Sequence, residues 1–243
     1  LPVCWNLDQI TDTFGNVINI TYTSSSWTTQ NANGQITFDR WVYPTQIDYC
    51  AADAGGAQRH ITFNLNPSRS DQPSVVQQCQ WAALDSIDEL LGSTLVRKNV
   101  FGYSYQSYSA YTNDKKPNDL LLTSITECDG TATTGVVNGA ISGNALPSRS
   151  FQYTVQNGWV GDSNTHEVCP IPLLSQVNNG YGGSVQYTYD VGSGATSSRF
   201  RDNGAGTSAQ LQWWYVTSKT VGDGRTNSYV TNYKYGYDSQ NGP

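Results

Sequence analysis

Acid–base chemistry at a sugar or ester bond needs two carboxylates a few ångströms apart in unlike environments. The chain has only three glutamates, Glu89, Glu127 and Glu167. Its closest acidic cluster is Asp85, Asp88 and Glu89. Read as part of a hairpin, that cluster decorates an exposed face or a turn rather than a catalytic centre. Asp129-Gly130 and Asp223-Gly224 are turn signals first. Nucleophilic catalysis fares no better. No Gly-x-Ser-x-Gly elbow occurs, and Gly192-Ser193-Gly194 is too short for one. The two histidines are far apart: His60 falls on an alternating strand and His166 in a connector, and both read as structural. Gly180-Tyr181-Gly182-Gly183 is rich in glycine, but no helix and no Lys-Ser/Thr follows, so it is a hairpin turn and not a phosphate loop. The chain therefore reads as non-enzymatic, with no cofactor.

Metal binding has little to work with. Cys4, Cys50, Cys79, Cys128 and Cys169 are widely spaced and form no close pair, which is not the spacing of a zinc ribbon. They read as one or two disulfides of a secreted protein with one thiol left over, the connectivity open, or else as buried free thiols. Asn19-Ile20-Thr21 is the one glycosylation sequon, making Asn19 the candidate acceptor; Asn66-Pro67-Ser68 is excluded by its proline. Trp213, Trp214 and Tyr215 are candidate carbohydrate contacts, since sugar faces stack on aromatic rings. Adjacent residues of a strand point to opposite faces, so not all three serve one platform. The bland alternative is an aromatic ladder that holds sheet strands together.

The elements that must carry these residues are strands. Sixteen Tyr and seven Trp sit in a chain of 243 residues whose charged fraction is 13%. Tyr, Trp, Thr and Val suit half-buried pleated surfaces. The net charge of −6 is spread out, and no basic cluster is longer than a pair such as Lys115-Lys116. That is no footprint for a nucleic acid or an anionic membrane. No apolar run approaches the roughly 18 residues of a membrane span. Leu1-Pro2-Val3-Cys4 lacks the basic start and apolar core of a signal peptide, so the chain reads as a processed product or as a section of something longer.

One phrase recurs. Leu7–Tyr22, Leu174–Asp190 and Val216–Tyr235 each read as a strand, a Gly/Asn turn and a second strand ending in tyrosine. Residues 80–91 carry Trp81, Leu84, Ile87, Leu90 and Leu91 at helical spacing, but 84–97 also fits a strand–turn–strand about Gly92-Ser93, and context favours the hairpin. Val100 to Tyr111 alternates as a strand. Residues 24–34, 129–147 and 192–209 are rich in Ser, Thr, Asn and Gly and read as contact-presenting loops, the second of them mobile. Pro44 is expected at the start or edge of a strand, and 156–170 as a connector. The expected fold is all-β, an antiparallel array of β-hairpin repeats. A boundary near 158–172 divides it into 1–158 and 159–243, with one continuous β domain as the alternative.

The order of the phrases is specific. A D-x-x-G-N hairpin at Asp12–Asn16 precedes Tyr43-Pro44-Thr45-Gln46-Ile47-Asp48-Tyr49, then Arg59-His60-Ile61-Thr62-Phe63 with Arg69 and Asp71 beyond. Next come Leu84–Glu89, Leu95-Val96-Arg97-Lys98, Leu121–Glu127 and the Leu146-Pro147 to Tyr153 phrase. This succession, over roughly residues 5–238, resembles YD-repeat proteins of the Rhs type, in particular the shell region of the toxin-complex B component and its SpvB-like relatives. The resemblance implies a spiralling antiparallel sheet that encloses a hollow shell around a toxin. Those shells are much longer, so this chain would build part of a turn or two. The Asp-Pro-x-Gly phrases of the self-cleaving segment and an effector domain are not in it. The expectation is a secreted or cell-surface scaffold. It would associate with itself or with the rest of a longer chain through sheet edges. A glycan ligand is the alternative, and a section of a toxin-encapsulating shell a further one.

Overall fold

A computed structural model describes residues 6–31, 34–49, 58–68, 82–107, 118–161, 166–191, 200–201, 208–211 and 214–235. These residues form strands and turns with no helix, so the fold is all-β and antiparallel. It follows that no helix is long and apolar enough to cross a membrane. Contacts divide the chain into two compact units, one of 1–105 with 120–148, the other of 106–119 with 149–243.

The first unit carries β1 (Gln9–Thr11), β2 (Val17–Asn31), β3 (Gly34–Tyr49), β4 (Arg59–Asn66), β5 (Ala83–Leu91), β6 (Thr94–Ser107) and β7 (Asn118–Asp129), hydrogen-bonded in chain order. The second carries β8 (Arg149–Gly161), β9 (His166–Asn178), β10 (Ser184–Val191), β11 (Phe200–Arg201), β12 (Ser208–Leu211), β13 (Trp214–Gly222) and β14 (Ser228–Asn232). There β8, β9, β10, β13 and β14 lie side by side, while β12 adds to the end of β8 and carries β11.

The recurrent phrases are recurrent geometry. The β1–β2, β9–β10 and β13–β14 turns each span five residues, Asp12–Asn16, Asn179–Gly183 and Asp223–Asn227. In each, the first residue's backbone N–H donates to the fifth residue's carbonyl at 3.0–3.2 Å. Its side-chain oxygen also accepts backbone N–H groups from inside the turn. Two turns lie against one another: a Cβ on Gly224, at φ 78°, would stand 2.5 Å from the carbonyl carbon of Gly182. Only glycine fits there.

Where each hairpin ladder ends, the departing strand leaves a carbonyl with no ladder partner, part-buried in two cases and exposed in the other two. A tyrosine supplies the donor. The hydroxyls of Tyr22, Tyr103, Tyr189 and Tyr235 donate to the carbonyls of Leu7, Leu84, Leu174 and Val216 at 2.7, 2.7, 2.7 and 3.0 Å. The register is the same in all four. Ser86 faces Val100, for instance, which sets Leu84 against Gly102 with Tyr103 the next residue.

Beside these latches the next ladder slips by one residue. Tyr22, Tyr153 and Tyr189 stand opposite bulges whose extra residues are Thr45, Ser175 and Thr217. The β4–β5 ladder slips at the equivalent place, and there the extra residue is Asp85. A bulge re-aims its extra side chain, and this one carries the chemistry described below.

Several expectations need correction. Residues 24–31 and 34 are strand, because Ser24 to Asn31 pair with Gly34 to Val42. Polar composition does not separate an exposed antiparallel strand from a loop. Pro44 lies inside β3, where the bulge at Thr45 interrupts one ladder and the pairing with β4 has not begun. Its missing N–H is thus not needed. Residues 156–161 and 166–170 are the paired ends of β8 and β9, not a connector. The 84–97 run, by contrast, is the expected hairpin, turning at Gly92 with φ 59°.

Candidate functional site

The fourth turn departs from the pattern. At the end of β7, Asp129 N–H donates to the Asn144 carbonyl at 2.9 Å. Asp129 Oδ1 accepts the backbone N–H of Thr131 and of Asn144, and Oδ2 accepts the Asn144 side-chain amide. This is the Asp12–Asn16 clasp again. Fourteen residues, 130–143, stand here where three stand in the other turns. The hydrogen bonds from Thr131 and Asn144 hold the Asp129 carboxyl down at about 2; Asp12 and Asp223 are lowered for the same reason.

The inserted loop is held on the sheet by polar side chains that are themselves buried. Asp85, Ser86, Asp88 and Lys98 are 3%, 0%, 2% and 0% exposed. Asp88 faces Lys98 across the β5–β6 ladder, and Lys98 Nζ donates to its Oδ1 at 2.8 Å. Both groups then grip Gly135: its N–H donates to Asp88 Oδ2 at 2.8 Å, and its carbonyl accepts Lys98 Nζ at 2.6 Å and Ser86 Oγ at 3.1 Å. Asp85 accepts from the N–H of Val137 at 2.7 Å and of Gly139 at 3.1 Å. The residue between them, Asn138, is held at φ 52°, the one non-glycine positive φ among the described residues. Beneath lies a small core of Leu95, Val100, Cys128 and Ala132.

The expectations for this region are overturned. Asp85 and Asp88 do not decorate an exposed face; of that acidic cluster only Glu89 reaches the surface, where it pairs with Arg97. The 129–147 segment is fixed by at least six hydrogen bonds to buried or clasping side chains, rather than mobile. The one sequence signal for this was Asp88 and Lys98 in facing strands. Their partner, Gly135, is too distant in sequence for a local reading to find.

The clamp borders a cleft of about 190 Å³. Phe101, Tyr103 and Tyr105 line it from β6, Asn66 from the end of β4, and Asn138 from the inserted loop. Asn66 donates its side-chain amide to Asn138 Oδ1 at 2.8 Å.

A second acid–base pair occupies the position in β3 that Asp88 occupies in β5. Asp48 faces His60 across the β3–β4 ladder and is hydrogen-bonded to its Nδ1. Gln46 donates to the same carboxylate oxygen at 2.7 Å.

The other candidate residues are not brought together. Cys128 is a free, buried thiol, so it leaves the set of disulfide candidates; it packs in the small core, where burial pushes its pKa up. Cys4, Cys50 and Cys79 lie outside the described residues, and for Cys169 only the strand backbone is described. Asn19 is exposed on β2 and accepts a hydrogen bond from Gln9 at 2.9 Å. Trp213 also lies outside the described residues. Trp214 is half-buried, and its indole N–H is buried with no partner among the described residues. Tyr215 packs edge-on to Tyr235 at 5.0 Å. His166 is in β9, far from His60 in the chain and in the other unit. No group of three or more His, Cys, Asp and Glu among the described residues could hold a metal ion.

No protein-family model matches this chain, and no curated protein or solved structure matches it either.

Proposed function

We propose that this chain is a non-enzymatic structural scaffold, a wall of YD-type hairpins of a secreted or surface-exposed protein. The observation that supports it most is the recurrence of one construction. Four hairpins share the tyrosine latch in one register, and four ladders slip at the equivalent residue. A repeated unit that satisfies its backbone in the same way each time extends by addition of further units. That suits a wall better than a pocket built once.

Such a wall grows at its edges. β14 pairs with β13 and with no other described strand, and it exposes Tyr229 and Val230 at 64% and 60%. An exposed edge strand with large apolar side chains templates pairing with another chain. The partner would be a second copy or further hairpins of a longer chain. The test is light scattering of the chain over a hundredfold range of concentration, with Val230→Lys as the control. Concentration-dependent association that the lysine abolishes supports the reading. A monodisperse monomer throughout would sink self-association and leave the scaffold reading dependent on a longer chain, to be sought in the intact mass of the native material.

A further inference from the structure

We propose that the cleft beside the inserted loop binds one ring of a neutral saccharide. This stands apart from the scaffold reading, since a wall needs no such site. Phe101, Tyr103 and Tyr105 are alternate residues of β6 and so line one side of it. An aromatic wall suits the C–H face of a pyranose. The lining also carries the side-chain amides of Asn66 and Asn138. Asn66 accepts from the Ser68 N–H through Oδ1 and donates to Asn138, which leaves the Asn138 side-chain NH2 without a protein partner among the described residues. An amide placed at a cleft mouth reads hydroxyl groups.

Among the described lining residues Asp85 is the one that carries a charge, and both its oxygens are already occupied by the N–H groups of Val137 and Gly139. Its part is to position Asn138, which it holds from both sides. With that carboxylate engaged, nothing among the described lining residues favours an ionic ligand. Size narrows the choice further. A cleft of about 190 Å³ falls below the ~300–1,000 Å³ of sites for drug-sized ligands, so it takes one ring and not an extended chain.

The experiment is saturation-transfer NMR on the full chain with a panel of neutral methyl hexopyranosides and N-acetylhexosaminides, and with uncharged nucleosides as the contrasting planar rings. Two variants locate the site. Tyr105→Ala shortens the aromatic wall. Asn138→Gly removes the amide and at the same time relieves the left-handed backbone, so it keeps the fold. At least one glycoside should give transfer at millimolar concentration, and each variant should weaken its binding about tenfold, the loss of one good hydrogen bond or stacking contact. Far-UV circular dichroism of Asn138→Gly should match the parent. The proposal is overturned by no transfer across the glycosides, by transfer unaltered in Asn138→Gly, or by nucleosides binding more tightly than any sugar.

Discussion

Removing the Asp88–Lys98 pair one partner at a time should cost more than removing it whole. Lys98 is 0% and Asp88 2% exposed, so neither charge can recover its solvation where it sits. Asp88→Leu leaves a buried ammonium with the Gly135 carbonyl as its partner among the described residues, and it orphans the Gly135 N–H. Breaking a buried pair in this way costs about 3–5 kcal/mol. Lys98→Met leaves a buried carboxylate with the Gly135 N–H alone, at a similar cost. The double variant removes both charges. The Gly135 carbonyl keeps Ser86 Oγ, and the N–H alone is left unsatisfied, a cost of about 1–3 kcal/mol. The double variant should therefore be more stable than either single one, with a coupling of about 3 kcal/mol or more. Urea unfolding read by pulsed labelling of the Cys128 thiol, located by mass spectrometry, reports on this unit specifically, because Cys128 is buried beside the loop residue Ala132. Single-variant costs that simply add to within about 0.5 kcal/mol would refute the reasoning.

Asp85→Thr restores the kind of residue that Thr45, Ser175 and Thr217 supply at the equivalent bulges. Amide exchange at Val137 and Gly139 should speed up by tenfold or more, while that of Val100 stays the same; equal acceleration at all three would mean the sheet itself depends on Asp85. Tyr189→Phe should cost about 1 kcal/mol, since it leaves the Leu174 carbonyl open in a part-buried site, and Tyr22→Phe less, since water reaches the Leu7 carbonyl. Thermal melts of the two variants decide, and equal losses would argue against the burial argument. The Asp129 carboxyl is depressed from 3.8 to about 2 in the folded chain, so its contribution is present above the unfolded value and is lost as pH falls through the folded one. Carboxyl NMR should show Asp129 titrating last among the clasp residues, and the Asn144 amide should lose protection between about pH 4 and 2; a midpoint near 4 would refute the clasp.

The hairpins were legible because their signals are local. Asp12 to Asn16 names a turn, and the tyrosine at Tyr22 or Tyr189 closes a strand within a dozen or so residues of it. The all-β class followed from the same phrases. What composition could not separate was a Ser/Thr-rich strand from a Ser/Thr-rich loop, as at Ser24 to Asn31, where the partner strand alone decides. The candidate site was illegible for a different reason. Nothing near Asp85 or Asp88 in the sequence announces that residues about fifty positions later will fold over them. An acidic residue in a strand reads as solvated unless its partner is known. The likeness of 130–143 to the three-residue turns is hidden by its length, although Gly143-Asn144 repeats the Gly15-Asn16 pair that closes the first hairpin.

In a repeated structure the unit that departs from the pattern carries the information. Asp48 and Asp88 occupy the same place in their strands and each faces a base, yet Asp48 with His60 stays part-exposed and Asp88 with Lys98 is sealed. The difference is the loop. A buried ion pair is weak evidence of stability, since an apolar pair of the same size often does as well. What apolar residues could not do is grip one peptide group by its N–H and its carbonyl together, as Asp88 and Lys98 grip Gly135. The inserted loop has few apolar anchors of its own, Ala132 being its one buried hydrophobic residue, and Val136 and Ile141 face solvent at 47% and 52%. Polar clamps hold it where packing alone would not. They hold one segment, Gly135 to Gly139, most firmly, and that segment carries Asn138 to the rim of the cleft. Asp85, Ser86, Asp88 and Lys98, all buried, thus converge on the one loop segment that borders the cleft, an arrangement that the three five-residue turns do without.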